Sequence, residues 1–274
     1  MQASLNILLS LFVVFFTTQS LANAPIFDAH NHYNHDVWEG IPPEDAIRRL
    51  REAGVTYSII SSADDKGTQR LYKLAPDMII PMLSPYLKRG TNDYWLELDY
   101  VLPYLKEKIA KNRYLGIGEI HIYENDANHP TVEAVVDLAR ENKLMLQVHA
   151  AAHIIERMYD FDGDAQIIWA HAGFEDPFTV REMLERFPTL WPDLSIRKDI
   201  FVDKDGFTDE WRQLLIDYSD RFMIGMDTYT GQRWLNANAI MAGMLRVLNQ
   251  LPQDVAEKIR YTNGVRIIKE RFQQ

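Results

Sequence analysis

The sequence contains no cysteine. That excludes disulfides and removes thiolate from any metal site, leaving imidazole and carboxylate as the ligand chemistry. It also excludes a lipid-modified cysteine behind a leader. There is no basic tail and no run of Lys or Arg: 29 basic residues against 39 acidic ones give a formal net charge of -10. Nucleic acid is therefore not an expected partner. Most of the acidity reads as solvated surface and says little about a substrate. No internal repeat and no low-complexity linker divides the chain. No G-x-G-x-x-G follows the first candidate strand, and G-I-G-E-I (116–120) lies inside a strand pattern, so dinucleotide binding lacks its fingerprint.

The first 24 residues lack Lys, Arg, Asp and Glu altogether. Their core LLSLFVVFF (8–16) is strongly apolar, and small residues stand at Ala22 and Ala24. The pattern predicts a cleavable signal segment over 1–24, cut after Ala24, with a periplasmic or secreted mature chain over 25–274. The apolar run is short for a membrane span, and no other segment approaches that length. No stable membrane anchor is expected after cleavage.

From residue 25 on, short apolar runs alternate with longer amphipathic ones. Strands are expected at 26–30, 57–61, 78–83, 115–120, 144–150, 166–171, 190–196 and 222–227. Helices are expected at 42–54, 95–112, 131–143, 176–188, 209–219, 237–250 and 252–272, the last interrupted near Asn263-Gly264. The connection over 61–78 has only a weak helical pattern. Eight strands with mainly helical connections predict a single-domain α/β chain folded as a (β/α)8 TIM barrel. An open doubly wound sheet is the structural alternative.

In a barrel of this kind, functional residues belong at the C-terminal ends of strands. His30 ends the first expected strand and His32 lies two positions on, on the same side of extended backbone. Glu119 lies near the end of the fourth, His149 ends the fifth, His171 the sixth and Asp227 the eighth. One histidine after a strand is ordinarily a hydrogen-bonded rim residue. Four histidines and two carboxylates at five strand ends form a metal-ligand set suited to zinc, with manganese or iron as alternatives. Asp28 is read as a group that orients a ligand from behind. His121 shares the face of Glu119 and is a candidate substrate group, with Tyr123 beyond it. Arg197, after the seventh strand, is a candidate anchor for a substrate carboxylate or phosphate. Tyr229 and Arg233 are placed at the mouth. His35 is as readily a surface residue as a substrate group, and His129 and His153 are expected outside the ligand set.

The order of D-A-H-N-H (28–32), G-I-G-E-I, Q-V-H-A, W-A-H-A-G and I-G-M-D resembles the amidohydrolase superfamily of metal-dependent TIM-barrel hydrolases. The likeness spans essentially the whole mature chain. Glu119 is similar to the strand-4 glutamate of the TatD-like branch. The HAG motif and RIIKERF look closer to the branch that includes lactonases and decarboxylases. The resemblance implies metal-activated water acting on a small ester, lactone, amide or phosphoester. It implies His30, His32 and Asp227 around one metal, and Glu119 bridging to a second held by His149 and His171. With a single metal, His149 stays a ligand and His171 contacts the reacting group. Asp227 is the implied general base, and His171, His121 and Arg197 complete the catalytic candidates. A metal-dependent decarboxylase of a small acid and a noncatalytic metal-binding protein are the competing readings. A homo-oligomer is compatible with the sequence.

Overall fold

The computed structural model describes residues 24–197 and 206–272. The expected signal segment lies outside the described residues except for Ala24.

The apolar runs form seven parallel strands: β1 (Ile26–His32), β2 (Val55–Ser61), β3 (Ile79–Leu83), β4 (Gly116–His121), β5 (Met145–His149), β6 (Ile167–Trp169) and β7 (Leu190–Pro192). They pair in the order β1-β2-β3-β4-β5-β6-β7. Parallel neighbours need a crossover connection. Helices supply these: α1 (Pro43–Glu52), α2 (Lys66–Leu74), α3 (Val101–Lys111), α4 (Pro130–Glu141), α5 (Ala152–Phe161) and α6 (Pro177–Arg186). Their starts follow local chemistry. Pro opens α1, α4 and α6, and the Asp176 carboxylate accepts the backbone N–H groups of Phe178 and Thr179 at the head of α6.

Both faces of the sheet are covered, which explains strands that are apolar almost throughout. One core lies between strands and helices, with Ile47, Leu50, Val135, Ile155 and Val180 among its members. A second is formed by Phe27, Ala29, Ile59, Met82, Ile168 and Met223. Strand order that never reverses leaves no switch point of the doubly wound kind, which removes that alternative.

The eighth expected strand, 222–227, forms no ladder. It makes single-residue bridges, Ile224 to Asp28 and Met223 to Asp193. The Ala29 N–H donates to Ile224 O at 2.8 Å and the Leu194 N–H to Met223 O at 2.9 Å. The expected closed barrel of eight regular strands is thus corrected to a seven-stranded sheet whose two edges touch one irregular segment. The physical reasons are local. Gly225 lies so close to β1 that a Cβ there would stand 2.6 Å from the Cβ of His30. Asp227 has φ 49°, which ends extended backbone.

Two further expectations change. The weak helical pattern after β2 becomes the full helix α2. The C-terminal helix runs on through Asn263-Gly264 with π-helical turns at Lys258–Thr262 and Ile268–Phe272. There the Asn263 side chain donates to Ser219 O and Phe222 O, so it serves packing and not interruption. No helix among the described residues is long and apolar enough to cross a membrane.

The close approach at Gly225 yields a test. Gly225→Ala forces the 223–227 segment off β1 and is expected to destabilise the fold by about 1–3 kcal/mol. Urea denaturation followed by far-UV circular dichroism measures it; an unchanged midpoint would show that the segment has room.

Candidate metal centre

β1 carries two imidazoles to its C-terminal end, where their Nε2 atoms come within 3.1 Å of each other. The register of β1 against β2 shifts between Asp28 and Asn31, so the strand is irregular where it presents them. Behind it, Asp28 accepts the backbone N–H groups of His30 at 3.3 Å and Met226 at 3.0 Å. Asp28 therefore holds backbone to backbone. It thereby holds His30 from behind through the main chain and not through the ring.

Glu119 reaches the same point from β4. Its backbone N–H donates to Ser61 Oγ at 3.1 Å, and Ser61 Oγ donates to Gly118 O at 2.6 Å. Gly118 has φ 151°, and a Cβ there would stand 2.4 Å from Gln147 O. Glycine lets β4 lie tightly against β5 and so brings Glu119 beside His149. The two carboxylate oxygens face different partners. Oε2 lies 3.4 Å from His30 Nε2 and 3.2 Å from His32 Nε2. Oε1 lies 3.2 Å from His149 Nδ1 and 3.4 Å from His171 Nε2.

His171 and Asp227 reach the centre by leaving strand geometry. His171, Ala172, Gly173 and Phe174 are consecutive left-handed residues, with φ of 57°, 48°, 63° and 56°. Such a run is held by its surroundings or not at all. Here Asp193 Oδ1 accepts the His171 N–H at 3.3 Å, while the Arg197 guanidinium donates to His171 O at 3.2 Å and Glu175 O at 2.8 Å. Asp227, also left-handed, donates its N–H to His30 O at 2.6 Å, and Arg233 Nε donates to its carbonyl at 2.6 Å. Its carboxylate Oδ1 lies 3.3 Å from His32 Nε2 and 3.8 Å from His30 Nε2. That buried oxygen has no hydrogen bond among the described residues. It is close to the imidazoles without being aligned to them.

These observations test the fit of a divalent cation. Ligand atoms about 2.0–2.2 Å from a zinc-sized ion in a tetrahedral or octahedral shell stand about 2.8–3.6 Å apart. The His30, His32 and Glu119 atoms stand 3.1, 3.4 and 3.2 Å apart. Lone pairs aimed at a shared point and an orphaned carboxylate oxygen are what a cation would satisfy. Three groups of donors close enough for this occur among the described residues: His30, His32 and Asp227; His30, Glu119 and His171; and Glu119, His121 and His149. The site therefore has the donors for a divalent ion.

A layer behind the imidazoles comes from the residues just after β7 and was not singled out in the sequence. His30 Nδ1–H donates to Asp193 Oδ2 at 3.0 Å. His171 Nδ1–H donates to Ser195 O at 3.0 Å, with Ser195 Oγ at 2.8 Å. An acceptor on Nδ1 leaves Nε2 with its lone pair free for a metal. The available signal was D-L-S (193–195), whose acid and hydroxyl sit two apart at a strand end.

The electrostatics follow from burial. Burial alone would lower His30, but Glu119, Asp193 and Asp227 outweigh it and hold the imidazolium well above its ordinary range. His32 is likewise pushed down by burial and up further by Asp227 and Glu119, to about 9. His171 is raised, with Glu119 overcoming burial. The carboxyls of Glu119 and Asp227 are pushed up by burial and pulled down further by the histidines, to a net lowering. Burial raises Asp28 to about 7. Burial drives His121 the other way, down to about 4. Without a metal, protons on the imidazoles balance the carboxylates, so metal and protons compete for one site.

The centre opens into a cavity of ≈ 320 Å³. His32, Glu119, His121, His149, His171 and Asp227 contribute to its wall. Among the described residues Arg197 is not on that wall; its guanidinium holds the backbone of the His171 turn. Among the described residues the cationic side chain on the wall is Arg89, after β3, paired with Asp36. Tyr86, also from that loop, and the half-exposed Phe174 were not singled out in the sequence either. Tyr229 lines the mouth as expected, whereas Arg233 holds the Asp227 backbone. Tyr123 is exposed and donates to Asp93. His129 caps α4, and His35 and His153 are exposed and join none of the donor groups.

No protein-family model and no curated protein matches the chain. Solved structures do. An uncharacterised TIM-barrel protein from Bordetella bronchiseptica is similar at 12% identity and TM-score 0.67, over 90% of this chain and 99% of that one. A protein provisionally named 2-pyrone-4,6-dicarboxylic acid hydrolase from Pseudomonas putida gives 13% identity and TM-score 0.61, over 92% and 100% of the two chains. A TatD-family hydrolase from Entamoeba histolytica gives 11% and 0.56, over 92% and 100%.

A pH test follows from the histidines. His32 titrates near 9 when folded against 6.5 when unfolded, so its charge stabilises the metal-free fold fully below pH 6.5 and that contribution is lost as pH rises through 9. The raised His30 acts in the same direction. Thermal melting in EDTA is expected to fall across this window, and zinc is expected to abolish the fall. Parallel curves with and without zinc would refute the exchange of metal for protons. At these identities the likeness to solved structures is one of fold: the chain has the α/β fold shared by TIM-barrel proteins and by a TatD-family hydrolase.

Proposed function

We propose that this protein is a divalent-metal-dependent hydrolase of the amidohydrolase type, acting on a small ester, lactone, amide or phosphoester. The observation that carries the reading is the Glu119 carboxylate, whose two oxygens face two different pairs of histidines at 3.2–3.4 Å. A carboxylate so placed would serve two cations, one toward each pair. His30, His32 and Asp227 would hold one ion, His149 and His171 the other, and Glu119 both. Nitrogen and oxygen donors without thiolate suit zinc, with manganese and iron as alternatives. The irregular 222–227 segment is read as the degenerate eighth strand of the barrel.

When bound, a divalent ion lowers the pKa of water and polarises the susceptible oxygen of the substrate. The protein's own groups do the rest. Asp227 remains a carboxylate at neutral pH, so the oxygen that does not face the ion would accept a proton from the attacking water. The same oxygen returns that proton to the leaving group. Asp193 and Ser195 keep His30 and His171 in the tautomer that presents Nε2. The cavity volume of ≈ 320 Å³ suits a small molecule and not a folded polymer.

Elemental analysis after reconstitution is expected to find two zinc equivalents per chain. His30→Gln is expected to lose one or both, and Asp193→Ala to weaken zinc affinity about 10–100-fold. Asp227→Asn is expected to lower kcat about 10²–10⁴-fold on whichever member of an ester, lactone, amide and phosphoester panel is turned over. Wild-type protein holding less than about 0.2 equivalents would refute a metal centre built on ligands of this kind.

Export is also part of the proposal. The uncharged, apolar first 24 residues would direct the chain to a periplasm or the medium. N-terminal sequencing of protein recovered from an exporting host is then expected to start at Pro25; a start at Met1 or Gln2 would refute cleavage.

A further inference from the structure

We propose that His121 is no metal ligand but a catalytic hydrogen-bond donor, its Nε2–H presented by Tyr86 to the oxygen on which charge develops in the substrate. This deepens the hydrolase reading and rests on it.

One hydroxyl, with a single proton to give, sets the tautomer. The backbone N–H of His121 donates to Tyr86 Oη at 2.7 Å. The same Oη lies 3.1 Å from His121 Nδ1. Tyr86 is buried, and among the described residues His121 Nδ1 is the acceptor within reach of its one O–H proton. The hydroxyl therefore donates to Nδ1. A neutral imidazole that accepts at Nδ1 carries its hydrogen on Nε2. The three histidines divide on this point. His30 and His171 give their Nδ1–H to a carboxylate and a carbonyl, which frees Nε2 to bind metal. His121 faces a hydroxyl with a proton to give, so its Nε2 is a donor.

The position fits a substrate contact. His121 lines the cavity, and its Nε2 lies 3.9 Å from Glu119 Oε2, beyond hydrogen-bond range. Its ring stacks on His149 with centroids 4.5 Å apart. Trp95 Nε1 donates to His121 O at 2.7 Å and pins the backbone that carries it. A neutral imidazole held beside the reacting centre stabilises a developing oxyanion without reorganising. When water adds to an ester carbon, the C=O π pair moves onto oxygen, where Nε2–H meets it. The pair then re-forms C=O as the C–O bond to the leaving group breaks. The water's proton passes by Asp227 to the leaving oxygen, and Nε2 keeps its own. Tyr86 acts through His121 and is a positioning residue.

The test uses zinc-loaded full-length mature protein labelled with ¹⁵N-histidine. Long-range ¹H–¹⁵N spectra, assigned by loss of the signal in His121→Gln, are expected to show His121 as the neutral Nε2–H tautomer without a zinc shift. Titration with inorganic phosphate as an oxyanion probe is expected to move that Nε2–H resonance. Tyr86→Phe keeps the ring packed on Trp95 and is expected to shift His121 toward mixed tautomers at unchanged zinc content. With 4-nitrophenyl acetate, His121→Ala is expected to lose about 10²-fold in kcat at nearly constant KM. His121→Gln, which retains an N–H donor, is expected to recover part of that loss. A His121 signal with hydrogen on Nδ1 and zinc on Nε2, loss of one zinc equivalent in His121→Ala, or no response to phosphate would each overturn the proposal. Failure of the hydrolase reading has its own signature: wild-type protein without zinc, or without turnover of any probe, whatever tautomer His121 adopts.

Discussion

Buried negative charge at one end of the sheet is the constraint on which the rest of the structure turns. Glu119, Asp193 and Asp227 are almost wholly removed from water. Isolated carboxylates in such surroundings would be protonated or would open the fold. They stay ionised because His30, His32 and His171 are packed among them. The imidazoles in turn stay charged, against burial, because the carboxylates surround them. Neither set is tolerable alone. The arrangement is neutral with protons and also suits a divalent ion, which would concentrate its charge at the point where the lone pairs converge.

Holding these groups so close requires backbone that ordinary strands do not provide. The left-handed turn at His171–Phe174 swings an imidazole inward from the end of β6. Arg197 and Asp193 secure that turn through its main-chain polar groups. Asp227 uses the same conformation, secured by His30 O and Arg233. Gly225 gives the approach to β1 that a side chain would block. The irregular eighth segment thus serves the site: Asp227 enters it from a left-handed residue that lies outside any ladder.

Division of labour among the histidines follows from what stands behind each ring. A carboxylate or carbonyl on Nδ1 makes a ligand of Nε2, and a proton-giving hydroxyl makes a donor of it. The segment just after β7 supplies the first kind of partner through Asp193 and Ser195. The loop after β3 supplies the second through Tyr86. That loop also places Arg89 on the cavity wall, so β3, which carries no metal-ligand candidate, still furnishes groups that line the cavity.

The ends of strands and the period of two are enough to single out His30, His32, Glu119, His149, His171 and Asp227 from the sequence. Apolar runs bounded by turn and cap chemistry mark where each strand stops, and a parallel sheet puts all such stops on one rim. Strand number and order were legible for the same reason, up to the eighth segment. The partners of these groups were not. Asp193 and Ser195 stand 163 and 24 residues from the imidazoles they orient. Arg197 has the chemistry of an anion anchor in the sequence, and only its place against the His171 turn reveals the backbone it holds. Tyr86 reads as one more aromatic until its hydroxyl is found against His121. Residue type and local period, set by covalent chemistry and short-range backbone geometry, determined which side chains could bind a metal. Which nitrogen each imidazole presents depends on hydrogen-bond partners far away in the chain, and tertiary structure alone brings those together.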